Sequence, residues 1–346
     1  ETVRWLLKKN AKVYMASRSK QRAEEAIAKL EKENLPGKVI FIQLDLANLD
    51  NIKGFPSRFQ QYEDHLDLLF NNAGLVSFKP DQVTADGYEL QIGTNGLGPH
   101  YLTRLLIPFL EAAQKRTPDR PPRVCFTSSL AHRFASPDGF TPKDPTGENT
   151  NRPFYVSVVN RRYGTSKLVN ILSANKFQRE FGSKGIVFSS VHPGALRTDI
   201  MQDWKSPMHK FMRWAIFYPQ SMGPLTQLYA ATAPETATKG GSYFAPWGRE
   251  VKPLPIVLDT KNQDACTWLP LTQSMNGLRS RSRSTLRYPR GCLVWNAPLL
   301  LRSYEPCHGP VPRRSVSPAA HVARVRVECM GARGSRDILA IQPVTL

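Results

Sequence analysis

The amino-acid sequence predicts an α/β domain built on a doubly wound parallel sheet. Short apolar runs alternate with amphipathic, helix-forming segments, and several of the apolar runs end in small or polar residues. Strands without a regular apolar/polar alternation are typical of parallel sheets that helices cover on both faces. The chain has 346 residues, 41% of them hydrophobic, so it can bury a substantial core.

The predicted elements follow one another in the order that such a sheet requires. Strands are predicted at residues 12–17, 38–44, 65–70, 124–128 and 185–191. Helices are predicted between them, at residues 19–33, 48–62, 87–115 and 163–181. Two inserts interrupt this alternation. Residues 134–155, rich in Pro, Asp, Asn and Gly, predict a surface loop, whereas the strongly apolar residues 203–223 predict either a lid over an apolar pocket or a helix packed on the core.

The composition changes abruptly near residue 262. Residues 262–346 contain twelve arginines, no lysine and four of the five cysteines. We therefore predict an α/β domain over residues 1–261 and an Arg/Pro/Ser-rich tail over residues 262–346 that is disordered, irregular or non-native. The Arg-Ser run at residues 278–284 is alternatively an RNA-binding or phosphorylated arm.

Bulk features restrict the partners and the compartment. The net charge of +19 invites a nucleic-acid interpretation, but no DNA-binding motif occurs, and no nucleic-acid partner is predicted. Residues 1–261 contain only Cys125, which fits a reducing compartment, and we predict a cytoplasmic protein without a membrane span. The chain opens at Glu1, so an upstream targeting segment could be missing. The seven histidines show no metal-ligand spacing, and no metal is predicted.

Tyr163 and Lys167 form the first candidate catalytic pair. They lie four residues apart on a predicted helix and therefore project from the same face. A nearby ammonium is expected to lower the pKa of the tyrosine from its reference value of about 10, which would make the phenol a usable acid and base. The same spacing also arises by chance in helices whose tyrosine and lysine are merely exposed.

Polar residues at the ends of the predicted strands point to a binding site at one edge of the sheet, because ligands of doubly wound sheets bind at the carboxyl ends of strands. The residues concerned are Ser129, the segment Asn71-Asn72-Ala73-Gly74, and the turn Pro193-Gly194 with Thr198 four residues on. Their simpler interpretations are a helix cap, an Asx turn and a plain Pro-Gly turn.

Taken together, these motifs resemble those of short-chain dehydrogenases/reductases. Asn-Asn-Ala-Gly, a strand ending in Ser-Ser, Tyr-x-x-x-Lys and a later Pro-Gly occur in the same order in that family, and the resemblance covers about residues 1–255. Residues 128–132, 163–170, 191–194 and 243–249 are similar to the retinol-dehydrogenase-like branch. The resemblance implies a Rossmann-type fold and an alcohol oxidoreductase of the EC 1.1.1 type.

The resemblance also implies a role for each matching residue. Tyr163 would exchange the proton, Lys167 would lower its pKa and hold the nicotinamide ribose, Ser129 would orient the substrate oxygen, and Asn95 would belong to a proton relay. The residues implied to line the cofactor are Asp45, Asn72, Ala73, Gly74, Pro193, Gly194 and Thr198, besides Tyr163 and Lys167.

The residues after the first predicted strand favour NADP over NAD. An acidic residue at this place would bind the ribose 2′-hydroxyl of NAD, whereas an arginine accommodates a 2′-phosphate. The chain has Ser17-Arg18-Ser19-Lys20 and no acid there. Arg18 is thus predicted to bind NADP, with a solvated surface charge as the alternative.

The sequence departs from the family in three respects. The family's first strand and glycine-rich turn are absent, which predicts a hole in the core and poor NADP binding. Ser129 and Tyr163 are separated by 34 residues, more than is usual. The tail matches nothing in the family. The leading hypothesis is an NADP-dependent oxidoreductase for a small lipophilic alcohol or carbonyl compound, with assembly into a homo-oligomer as a further expectation. The alternative is an inactive truncated family member.

Overall fold

One mostly parallel sheet of eight strands organises the residues that the structure describes. The computed structural model describes residues 1–77, 79, 82–135, 139–140, 158–196, 217–265 and 337–341. The strands are β1 (Lys12–Ser17), β2 (Lys38–Gln43), β3 (Leu68–Asn71), β4 (Arg123–Thr127), β5 (Val187–Val191), β6 (Tyr243–Ala245), β7 (Arg249–Glu250) and β8 (Asp337–Ile341). Their order is β2-β1-β8-β3-β4-β5-β6-β7, and only β6 and β7 pair antiparallel.

Helices cover both faces of this sheet. They are α1 (Thr2–Leu7), α2 (Lys20–Glu31), α3 (Leu49–Lys53), α4 (Phe55–Gln60), α5 (Leu90–Ile92), α6 (Gly98–Arg116), α7 (Val158–Phe181), α8 (Pro224–Thr232) and α9 (Thr260–Ala265). Within β1, Tyr14 and Ala16 join the core beneath α3, α4, α6 and α7, while Val13 and Met15 join the core beneath α1, α2 and α8. Successive residues of a strand thus pack in opposite layers, and the predicted doubly wound α/β fold is confirmed.

A strand from near the carboxyl end of the chain lies at the centre of the sheet. β8 pairs in parallel with β1 on one side and with β3 on the other. Ile338 is fully buried and belongs to the same core cluster as Met15 and Phe70. The expected hole in the core is therefore wrong, because a segment of the predicted tail occupies this central position.

The predicted domain boundary does not coincide with an end of the fold. α9 crosses residue 262, and β8 returns to the sheet from the predicted tail. Residues 266–336 and 342–346 lie outside the described residues, so the irregular tail and the Arg-Ser arm stay predictions.

The predicted surface loop at residues 134–155 is in part a core segment. Ala135 and Phe140 are both buried and pack in one cluster with Leu168 and Leu172 of α7. The expectation of a wholly exposed loop is wrong at these two positions, because the return of the chain onto α7 covers that helix's apolar face. Residues 141–157, and residues 203–216 of the second insert, lie outside the described part.

Candidate active site at the carboxyl edge of the sheet

Three neighbouring strands end at the same edge and deliver the predicted polar segments to it. β3, β4 and β5 are adjacent and parallel, so Asn72, Ser129 and Pro193 follow strand ends that lie side by side. The turns that follow the strands are fixed by hydrogen bonds, such as that from the Ser128 amide to the Val191 carbonyl at 2.8 Å. The strand ends therefore form one continuous polar edge.

Helix α7 is joined to the end of β4 by buried polar contacts. The Nζ atom of Lys167 donates to the carbonyl of Thr127 at 2.9 Å, and the Nδ2 atom of Asn170 donates to the same carbonyl at 3.2 Å. In the opposite direction, the Ser128 hydroxyl donates to the Lys167 carbonyl at 2.7 Å. These bonds hold the Lys167 ammonium 5.7 Å from the centre of the Tyr163 ring.

Ser129 and Tyr163 meet despite the long segment between them. Their side chains share a hydrogen bond, which acts to lower the pKa of Tyr163. Burial is the larger effect and raises that pKa to about 12. The expected lowering of the tyrosine pKa is therefore wrong for the protein alone, since desolvation of the phenolate outweighs the stabilising contacts.

Burial also changes the charge balance of Lys167. Its side chain is almost inaccessible, and desolvation of the ammonium lowers the pKa to about 8. A lysine with this pKa is still mostly protonated at pH 7. It therefore presents a cation beside Tyr163 that donates to the Thr127 carbonyl at 2.9 Å.

A π-helical turn brings Asn95 to the same place. Residues Gly93–Leu97 form this turn between α5 and α6, and such turns are frequent at functional sites. The Asn95 Oδ1 atom accepts from the Leu75 amide at 2.8 Å, and its Nδ2 atom donates to the Leu75 carbonyl at 2.8 Å and to the Ser166 hydroxyl at 3.1 Å. The side chain thus links the segment after β3 to α7.

Gly74 allows that segment to pass close to the lysine. A Cβ atom at this position would lie 3.1 Å from the Lys167 Nζ atom and 3.4 Å from the Asn95 Oδ1 atom. The absence of a side chain at Gly74 leaves this space open beside Lys167 and Asn95. A flat ligand could approach the backbone there, which fits the adenosine-side role that the family resemblance implies for Asn72, Ala73 and Gly74.

Asn72 is held by a residue that the sequence reasoning missed. The Gln227 amide of α8 donates to the Asn72 Oδ1 atom and, at 2.9 Å, to the Thr127 hydroxyl, while its Oε1 atom accepts from the Thr2 hydroxyl at 3.0 Å. Ala73 packs against the core instead. Gln227 carries no motif, and only its position on α8 brings it to this edge.

Arg18 and Asp45 lie beside the ends of β1 and β2. Arg18 is exposed, and Ser19 next to it caps α2 by accepting from the Arg22 amide at 3.4 Å. The Asp45 carboxylate accepts from the Ala47 amide at 2.9 Å and so shapes its own turn. Both residues therefore flank the edge at which an adenosine moiety would lie.

The turn after β5 adds an aromatic boundary to the edge. Gly194 has φ +103, and a Cβ atom there would lie 3.2 Å from the Pro246 ring and 3.4 Å from the Trp247 ring. Trp247 in turn meets Tyr218 edge to face, with ring centroids 5.0 Å apart. Both rings were missed as site residues, although Trp247 lies in a segment that resembles the family. Thr198 lies outside the described residues.

The nicotinamide and adenosine portions of a dinucleotide fit these residues better than its phosphates do. Gly74 and Gly194 leave room for a close approach, and Lys167 supplies a donor. β8 ends at Ile341 on the same edge, and the residues that follow it lie outside the described part.

A separate cluster lies at the opposite edge of the sheet. This cluster consists of Glu63, Asp64 and His65, which precede β3. Within the described residues, it is the one group of side chains whose geometry could hold a metal ion. Glu63 already accepts hydrogen bonds from Lys12 and Tyr14, which gives the cluster a structural role.

Among the residues that the structure describes, no helix has the length and apolar character needed to cross a bilayer.

This chain is similar to known proteins of one family. The family model described as short chain dehydrogenase matches residues 1–138. A short-chain dehydrogenase/reductase of Armillaria gallica is 39% identical over 249 residues, which cover 72% of this chain and 77% of the relative. Dehydrogenase/reductase SDR family member 13 of Bos taurus is 31% identical over 69% of this chain and 60% of its own length.

Solved structures show the same fold. An uncharacterized protein from Mycobacterium paratuberculosis has a TM-score of 0.54 at 28% identity, over 76% of this chain and 84% of its own. The NADP active-site complex of Pseudomonas aeruginosa RhlG has a TM-score of 0.54 at 18% identity, over 71% and 89%. The chain belongs to the short-chain dehydrogenase/reductase family of oxidoreductases.

Proposed function

We propose that this protein uses NADP(H) to interconvert an alcohol and a carbonyl compound, with Tyr163 as the group that exchanges the proton. The observation that supports this most directly is the hydrogen bond between Ser129 and Tyr163 beside the buried Lys167. When bound, the nicotinamide would supply or accept the hydride. The protein would contribute orientation, a proton and a positive charge.

The ionisation states favour Tyr163 as an acid in the resting protein. Because its pKa is raised to about 12, the phenol is protonated at neutral pH and can donate to a carbonyl oxygen. Ser129 would hold that oxygen through its hydroxyl. The Lys167 cation would stabilise the phenolate that remains after the donation, and Asn95 would keep the segment beside it in place.

The preference for NADP rests on Arg18. This residue is exposed directly after β1, and no acidic residue accompanies it. A guanidinium pairs with a 2′-phosphate through two parallel hydrogen bonds, whereas a carboxylate would repel it. Asp45 would contact the adenine side, and Pro193, Gly194 and Thr198 would contact the nicotinamide side.

A lipophilic substrate is supported by the aromatic boundary. Tyr218 remains substantially exposed while it packs against Trp247 beside Gly194. Exposed aromatic rings next to a polar site favour a ligand that is apolar except at its reacting group. Retinoid-like or other apolar alcohols and aldehydes fit that description.

The decisive measurement is NADPH oxidation with a panel of apolar aldehydes. The change Tyr163→Phe is expected to lower kcat by about 10²–10⁴-fold, because it removes the general acid. The exposed Tyr62 provides a matched control, and Tyr62→Phe should leave kcat unchanged. Full activity of Tyr163→Phe would contradict the proposal.

The alternative function is that of an inactive family member with poor cofactor binding. It is favoured by the sequence of residues 1–261, which does not contain the family's Thr-Gly-x-x-x-Gly-x-Gly motif. A fluorescence titration with NADPH separates the two: micromolar affinity would exclude this alternative. Absence of both binding and turnover would support it.

Three further expectations stay predictions. They are a cytoplasmic location, assembly into a homo-oligomer and the lack of a nucleic-acid partner. Size-exclusion chromatography with light scattering would test the second, and a salt-dependent gel shift with generic RNA would test the third.

A further inference from the structure

His132 follows Ser129 in a 3₁₀ turn, Leu130–Phe134, and its side chain has no solvent exposure. Its Nδ1 atom lies 2.7 Å from the carbonyl oxygen of Ser129. A carbonyl oxygen can only accept a hydrogen bond, so the Nδ1 atom must carry the proton. Burial lowers the pKa of His132 to about 4, and the ring therefore stays neutral in this single tautomer near pH 7.

The Ser129 carbonyl accepts two hydrogen bonds from the same residue. Besides the ring, the backbone amide of His132 donates to it at 3.1 Å. The Ser129 hydroxyl meanwhile accepts from the Ala131 amide at 3.2 Å and shares the hydrogen bond with Tyr163. Hydrogen bonds thus fix both the carbonyl group of Ser129 and its side-chain hydroxyl.

We propose that His132 is a positioning residue, whose Nδ1–H holds the Ser129 carbonyl and thereby keeps the Ser129 hydroxyl directed at Tyr163. The inference rests on the proposed function, since it assigns a residue that supports the same site. The His132 ring contacts the Ser129 carbonyl and the Tyr243 ring, so it acts through Ser129 and is not proposed as a catalytic residue.

The environment of the ring supports a role for its donor rather than for its bulk. The ring packs edge to face on Tyr243, with centroids 5.2 Å apart, and the His132 Nε2 atom has no hydrogen-bond partner within the described residues. Burying a polar atom without a partner costs free energy that an apolar side chain of similar size would avoid. The Nδ1 contact is what an apolar side chain could not provide.

The glycine after Tyr163 lets this turn lie against α7. A Cβ atom on Gly164 would be 2.6 Å from the Ala131 carbonyl oxygen and 2.9 Å from the Ala135 amide nitrogen. The turn that contains His132 therefore packs directly on the helix backbone that carries Tyr163. Any shift of the turn changes the distance between Ser129 and Tyr163.

Three variants test the inference in the full chain. At position 132, asparagine would place an amide N–H donor near the Nδ1 atom of the native histidine. Glutamine would place that donor one bond further from the backbone, and leucine would remove the donor. We expect His132→Leu to lower kcat by about 10- to 100-fold with little change in the KM for NADPH, as a small misplacement of a catalytic group does. His132→Asn should recover most of that loss, and His132→Gln should not. Equal losses for Asn and Leu at equal thermal stability would overturn the inference.

Two spectroscopic measurements separate this inference from the proposed function. With ¹⁵N-labelled histidine, the His132 ring should show the Nδ1–H tautomer, and the opposite tautomer would refute the inference. With ¹³C-labelled tyrosine, the Tyr163 resonance should shift in the same direction in His132→Leu and Ser129→Ala but not in His132→Asn. An unshifted Tyr163 resonance in His132→Leu would also refute it, whether or not the protein turns over a substrate. Full activity of Tyr163→Phe would refute the proposed function alone.

Discussion

Replacing Ile338 by alanine tests whether the strand near the carboxyl end is part of the core. Its side chain is fully buried in β8, in the cluster that contains Met15 and Phe70. Removing it from that environment is expected to cost about 2–5 kcal/mol of unfolding free energy, from lost burial and the cavity left behind. If these residues instead belonged to an unstructured tail, the same change would cost almost nothing.

The assay is urea unfolding followed by circular dichroism, combined with a thermal scan. A loss of this size would lower the melting temperature by several degrees, at about 2–4 °C per kcal/mol for a domain of 150–250 residues. Leu258→Ala is the matched control, because this leucine is 73% exposed and should change the free energy of unfolding by less than about 0.5 kcal/mol. Equal stabilities for Ile338→Ala and Leu258→Ala would refute the placement of β8.

Two further predictions concern packing and pH. Gly164→Ala should lower the free energy of unfolding by about 1–3 kcal/mol, because its Cβ would lie 2.6 Å from the Ala131 carbonyl oxygen. Gly54→Ala is the control: its Cβ would first meet the end of the flexible Arg58 side chain, so it should lower the free energy of unfolding less. Urea titration measures both values. Burial lowers the pKa of His100 to about 3 and that of His132 to about 4, so between pH 6.5 and 4 the unfolded chain binds more protons and stability falls as the pH falls. Urea midpoints from pH 7 to 4.5 measure this slope, and an unchanged slope in His100→Asn would contradict the assignment.

The alternation of strands and helices could be predicted because it depends on local pattern. Residues 12–17 are a strand as expected, since their apolar run is short and ends in polar residues. The predicted helix at residues 48–62 is divided instead into α3 and α4 at Gly54, where Pro56 begins a new helical turn. Boundaries of this kind depend on single residues within an otherwise helical pattern.

The proximity of Tyr163 and Lys167 could be predicted from their spacing, but their electrostatics could not. Tyr163 and Lys167 lie on one face of α7, as their separation of four residues requires. The pKa of Tyr163 moves upward because burial dominates, and burial depends on which segments cover the residue. Gln227 was missed for a related reason: its contact with Asn72 joins residues 155 positions apart.

The central strand was missed because nothing near it in the sequence indicates a sheet. β8 has five residues, of which the four after Asp337 are apolar, and it lies within a region whose composition indicated a tail. Its partners, β1 and β3, lie hundreds of residues earlier, so only the unfilled position between them specifies its place.

The position of β8 also has a consequence for synthesis on the ribosome. Some 265 residues separate Asn71, at the end of β3, from Asp337, at the start of β8. At about 5–20 residues per second, β1 and β3 would wait on the order of half a minute for the strand between them. During that interval two apolar strand edges face each other unpaired, and such edges recruit other chains. The nascent chain would therefore depend on chaperones until its last strand leaves the exit tunnel.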